Sequence, residues 1–130
     1  MKAADTNILA RYIVRDDAQQ GAIAETIVAA GVYLPSTVLL ETAWLLGSRY
    51  RMERADVAAT LEDLLRLPGI VSEDADWIAW AIKRFAEGAD FADMIHLVAA
   101  RTADAFVTFD RPMAKAAGAQ PPLPIEIPDH

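Results

Sequence analysis

Short apolar runs alternate with helix-patterned segments from one end of the chain to the other, and this alternation restricts the fold more than any other feature. Lys2–Asp5 reads as a short strand, weak by propensity because of its alanines, and Thr6–Val14 as the helix after it. Asp17 with Gln20 resembles a capping box opening a second helix, which stops at Gly31. Val32–Leu34 is the next strand, closed by Pro35, and Ser36 is the expected N-cap of a third helix reaching Ser48. Arg54–Leu67 carries Val57, Leu61, Leu64 and Leu65 at helical spacing, with Glu62 and Arg66 as an i,i+4 pair. Pro68-Gly69 ends it before a strand at Ile70-Val71. Helices follow at Asp74–Glu87 and Phe91–Thr102, separated by Gly88. Ala105–Phe109 is the clearest strand, and Asp110 caps a short helix over Arg111–Ala117. Ile125 and Ile127, set between prolines, suit an edge strand. Strands alternating with helices predict a parallel sheet covered by helices on both faces, joined by right-handed crossovers. Ligands of such sheets bind beyond the carboxyl ends of the strands.

Composition narrows the field. A chain of 130 residues is the size of one domain, and its 54% hydrophobic content argues against disorder. No apolar stretch is long enough to span a bilayer, and Met1-Lys2-Ala3-Ala4-Asp5 reaches an acid before a signal-peptide core could form, so a cytoplasmic, membrane-free protein is expected. The absence of cysteine excludes disulfides and thiolate metal sites. The formal charge of −7 argues against a broad phosphate-binding surface. Nucleic acid would have to be held by local basic groups or by bound metal, and a basic protein partner fits the charge.

Against that background four acids stand out. Asp5 and Asp110 end strands and would lie at the ligand-binding rim, although each is also a natural N-cap for the helix that follows. The two roles are compatible, since a capping carboxylate still has an oxygen to offer a metal. Glu41 sits within Val38–Leu46, an almost wholly apolar helix. Either it is buried and needs a cation or strong donor, or it faces water on a single exposed stripe. Asp93 lies inside a helix, where aspartate has poor propensity, while Asp90 before it has the position of an N-cap. His96 has the character of a packed, hydrogen-bonded histidine, and one body histidine with a terminal one cannot form a His-rich zinc site. Together the acids suggest an all-oxygen site of the kind preferred by Mg²⁺ or Mn²⁺, suited to phosphodiester hydrolysis. No phosphate loop, dinucleotide turn or nucleophile elbow occurs.

Asp5-Thr6-Asn7 after the first strand, Glu41 in Leu-Leu-Glu-Thr, Ala92-Asp93 opening a helix and Thr108-Phe109-Asp110 closing a strand resemble PIN-domain nucleases. The run Asp5–Asp17 looks like VapC-type toxins of bacterial toxin–antitoxin pairs. The resemblance covers nearly the whole chain. It implies a single domain over residues 1–130, a three-layer α/β/α sandwich with a short parallel central sheet, and Mg²⁺- or Mn²⁺-dependent endoribonuclease activity. It further implies homodimerisation and inhibition by a VapB-like antitoxin. Carried over, Asp5 and Asp93 are the leading metal ligands, and Glu41 and Asp110 complete the catalytic, metal-binding quartet. Thr6 and Thr108 would support the site by hydrogen bonds, or serve only as turn and cap residues.

For an RNA substrate, Arg111 beside Asp110 is placed to touch a phosphate, and Arg49, Arg51 and Arg54 form a basic cluster that could steer the strand. Trp44, Trp77 and Trp80 read as core or interface residues rather than base-stacking platforms. Two rivals remain: a catalytically silent PIN scaffold, and a phospho-accepting receiver domain. The second lacks its acidic pair and its late-strand lysine.

Overall fold

The computed structural model describes residues 1–129, so the terminal His130 lies outside the described residues. The chain is organised as two compact units, Met1–Ala75 and Asp76–His130.

The first unit runs β1 (Lys2–Ala3), α1 (Thr6–Val14), α2 (Ala18–Ala29), β2 (Val32–Leu34), α3 (Ser36–Ser48), α4 (Arg54–Arg66) and β3 (Ile70–Ser72). Its strands form one parallel sheet in the order β1-β2-β3, with Lys2 opposite Val32 and Val32 opposite Ile70. Helices must connect parallel neighbours, which is why each strand is followed by helix-patterned sequence. Leu9, Leu34, Leu39, Leu46 and Leu61 are fully buried. Asp17 caps α2 by accepting from the Gln20 N–H at 2.9 Å. Gly69 admits the chain into β3 at a point where any side chain would collide: a Cβ there would lie 2.5 Å from the Val28 carbonyl oxygen.

The second unit comprises α5 (Ala75–Ala86, its first residue in the preceding unit), α6 (Phe91–Ala99), β4 (Phe106–Val107), α7 (Arg111–Ala117) and β5 (Ile125–Glu126). β4 and β5 pair in parallel. Ile78, Ile82, Met94 and Leu97 are buried, and Trp77 meets Trp80 edge-on at 5.8 Å. Arg84 donates to the Ala116 carbonyl at 2.8 Å and ties α5 to the end of α7.

With seven helices among the described residues and only parallel strand pairs, the fold is of the three-layer α/β/α class. Hydrogen bonding divides the strands into a three-stranded and a two-stranded sheet, where a single central sheet was expected. The clearest predicted strand is also cut short: β4 ends at Val107 because the Thr108 hydroxyl accepts the Asp110 N–H at 3.0 Å and turns the chain. Pro35 rather than Ser36 is the N-cap of α3; its carbonyl accepts from Val38 and Leu39 and no side chain caps the helix. Arg66 pairs with Asp63, one turn back, instead of Glu62.

Candidate active site

Asp5 and Glu41 belong to the first unit, and Asp90, Asp93 and Asp110 to the second. In the first, Asp5 stands at the N-terminus of α1 with an extended backbone, and its Oδ1 accepts from the Ile8 N–H at 3.0 Å. The cap uses one oxygen; the carboxylate is exposed and makes no ion pair among the described residues. Asp5, Asn7, Ile8, Arg11, Gln20 and Ile23 help to line an open groove of about 800 Å³. Arg11 is neutralised there by Asp16 at 2.8 Å, a contact that raises the arginine pKa and holds the Asp16 carboxyl below its usual value. Thr6, the first residue of α1, is buried directly beneath the cap.

Glu41 resolves the choice left open by the sequence. It faces water. The inner side of α3 consists of Leu39, Thr42, Ala43 and Leu46, and the Thr42 hydroxyl satisfies itself on the Val38 carbonyl at 2.7 Å. Thr37, Glu41, Trp44 and Ser48 form the exposed stripe opposite. Burial therefore creates no demand for a cation at Glu41. Trp44, expected in the core or an interface, is 69% exposed.

The second unit brings its acids into electrostatic contact. Asp90 caps α6 by accepting from the Ala92 N–H at 3.2 Å, as its position predicts. Asp110 caps α7 by accepting from the Met113 N–H at 2.9 Å, with Pro112 in the first turn where no donor is needed. Asp93 projects from the first turn of α6, half-buried. Partial burial raises its pKa above the usual aspartate value, and the negative charges of Asp90 and Asp110 raise it further. His96 opposes this weakly; it is exposed, contrary to the packed role its sequence setting suggested. Asp90, by sequence an N-cap with a possible place as a fifth acid of the site, thus both caps α6 and acts electrostatically on Asp93. The signal was its place one turn before Asp93 on the same stripe.

Asp93, repelled by Asp90 and Asp110 and with no Lys or Arg paired to any of the three among the described residues, gives a donor set whose chemistry fits a hard divalent cation. Ligand geometry is not pre-assembled: among the described residues no three His, Asp or Glu side chains are gathered closely enough to hold a metal. Thr108 makes a supporting hydrogen bond, but to the backbone of Asp110. Arg111, next to Asp110, is exposed.

The family model of the PIN domain matches residues 3–119. The chain belongs to the PIN domain family. The match spans both units and all of the acids discussed above. PIN domains are typically nucleases and generally use divalent metals. No curated protein and no solved structure matches the chain. No helix among the described residues is long and apolar enough to cross a membrane.

Proposed function

We propose that this PIN domain is a Mg²⁺- or Mn²⁺-dependent endoribonuclease and the toxin of a toxin–antitoxin pair. The observation that carries the nuclease reading is Asp93, a half-buried carboxylate pushed toward its neutral form by two neighbouring aspartates and offset by no paired cation. A protein gains nothing in stability from that arrangement, whereas a divalent ion would be drawn to it. Asp5 and Asp93 are the leading ligands, with Glu41 and Asp110 completing the catalytic set; residues 1–130 act as a single domain. A bound cation would supply an activated water and neutralise charge on the scissile phosphate.

The chain's own contribution is positional. The helix N-terminus at Ile8 fixes the Asp5 carboxylate, and that at Met113 fixes Asp110, so neither loses side-chain freedom on ligation. Arg111 contacts an RNA phosphate. A VapB-like antitoxin with a basic tail would meet the acidic groups directly, consistent with the net charge of −7. The toxin acts as a homodimer in the cytoplasm and forms a larger complex with its antitoxin.

The decisive test is Asp93→Asn, which removes the charge with little change in shape. RNA cleavage in Mg²⁺ should disappear while circular dichroism stays unchanged. Full cleavage by this variant would refute the mechanism, and no cleavage by the wild type would leave a scaffold role. Nuclease activity unaffected by the product of the neighbouring gene would refute the antitoxin pairing.

A further inference from the structure

The inner side of α6 is wholly apolar: Phe91, Met94, Ile95, Leu97 and Val98 are all buried. Its outer side carries the helix's only two polar side chains, Asp93 and His96. Three residues apart on one helix, they lie along a single stripe, with Cβ atoms about 5–6 Å apart. Electrostatics agrees with that register. Burial, Asp90 and Asp110 push the Asp93 pKa up, and His96 is the group that acts on it in the opposite direction.

Exposure alone assigns a histidine nothing; the register with Asp93 does. The His96 ring makes no hydrogen bond and no ion pair among the described residues, so a ring nitrogen is free to act as a ligand. A carboxylate followed three residues later by a histidine, both on one face of a helix, is a two-point chelate of the kind that carboxylate-rich metal sites in helix bundles use. Because both donors stand on α6, the chelate asks for no movement of Asp110. It is also compatible with the absence of three gathered ligands among the described residues, since α6 supplies two by itself.

We infer that His96 is a ligand of the divalent cation held at Asp93, placing a nitrogen donor beside the aspartate oxygen and tilting the site toward Mn²⁺ over Mg²⁺. Mg²⁺ prefers oxygen ligands and gives up its water reluctantly, so an imidazole adds little to its binding. A first-row transition cation accepts the nitrogen more readily. The formal charge of −7 favours the approach of a cation. That a cation binds at Asp93 at all rests on the nuclease reading above; the nitrogen donor rests on the geometry of α6.

The test measures metal binding without turnover, with Mn²⁺ itself as the probe and the full chain in the absence of RNA. Electron spin-echo spectra of the Mn²⁺-loaded wild type should show nitrogen modulation from an imidazole. The modulation should vanish in His96→Gln and persist in His130→Gln, the chain's other histidine. In calorimetric titrations His96→Gln should bind Mn²⁺ at least about tenfold more weakly, the lower end of what the loss of even a ligand's hydrogen-bond partner costs. Its Mg²⁺ affinity should stay at the wild-type value. Without metal it should melt as the wild type does, because the ring is exposed. A wild type that binds Mn²⁺ without nitrogen modulation, modulation that survives in His96→Gln, or equal losses of Mn²⁺ and Mg²⁺ affinity would overturn the assignment. Asp93→Asn tells this failure from that of the nuclease reading. If Asp93→Asn abolishes Mn²⁺ binding while His96→Gln binds as the wild type does, the inference falls alone. If Asp93→Asn binds Mn²⁺ at full affinity, or the wild type binds none, both fall.

Discussion

Asp5 and Asp110 each do a structural job that the folded chain makes visible, so a loss of activity on replacing them says nothing until cap and charge are separated. At Asp110 the separation is clean. Its Oδ1 accepts the Met113 N–H at 2.9 Å at the head of α7, a helix of seven residues that depends on few other bonds. Asp110→Ala removes both the acceptor and the charge, and loss of such a cap costs about 1 kcal/mol. For a chain of this length that lowers Tm by roughly 3–5 °C. Asp110→Asn keeps an acceptor of equal capping strength and removes only the charge, so its Tm should lie within about 2 °C of wild type. Cleavage should separate from stability: both variants lose on the order of 10²-fold in rate, because charge stabilisation by a bound divalent ion is worth several kcal/mol. The assay is cleavage of 5′-labelled single-stranded RNA in Mg²⁺, run beside thermal melts of the same preparations. Wild-type cleavage by Asp110→Asn would refute the reasoning and reduce Asp110 to a cap. Asp5, which accepts from Ile8 at 3.0 Å, should give the same pattern.

Asp93→Asn should raise the stability of the metal-free protein at neutral pH. A carboxyl whose folded pKa is raised favours the fold most below its unfolded value of 3.8, and this contribution is lost as pH rises through the folded value. The variant's advantage in urea melts should therefore vanish below about pH 3.8, and an equal advantage at all pH values would contradict the charge account. Mg²⁺ should raise the Tm of the wild type and shift Asp93→Asn much less; equal shifts would mean that the ion binds elsewhere. Asp16 has the opposite sign: Arg11 lowers its pKa, so its support is present above 3.8 and lost as pH falls through the lowered value. Because both partners are exposed to solvent, Asp16→Asn should change Tm little, and any change should shrink in high salt. Gly69→Ala should lower Tm markedly, since its Cβ would lie 2.5 Å from the Val28 carbonyl; an unchanged melt would contradict the close approach.

Helices were legible in the sequence to within a few residues because their signals are local. α1 and α7 begin after an aspartate that accepts from the third residue on, and a cap of this kind depends on nothing outside its own turn. Strand lengths were less legible. Phe106–Phe109 has the composition of a longer strand, but pairing requires a partner, and β5 offers only Ile125 and Glu126. The Thr108 hydroxyl then competes for the Asp110 N–H, a choice that composition does not encode. The Glu62–Arg66 pair failed for a similar reason: Asp63 and Glu62 both lie within reach of Arg66, and exposed pairs differ by too little energy for spacing to decide between them.

The site shows the same division between local and non-local information. Its candidate residues were picked out because acids on apolar helices are costly unless they have a use, and that cost is present at Asp93, whose burial and acidic neighbours raise its pKa. It did not hold for Glu41, because hydrophobic content cannot say which side of α3 is turned inward. Leu39, Ala43 and Leu46 mark the buried side, yet Leu40 and Leu45 are only half-buried and Trp44 is exposed. An almost wholly apolar run around one helix thus conceals a polar stripe, and Trp44 belongs to that stripe by position, not by hydropathy.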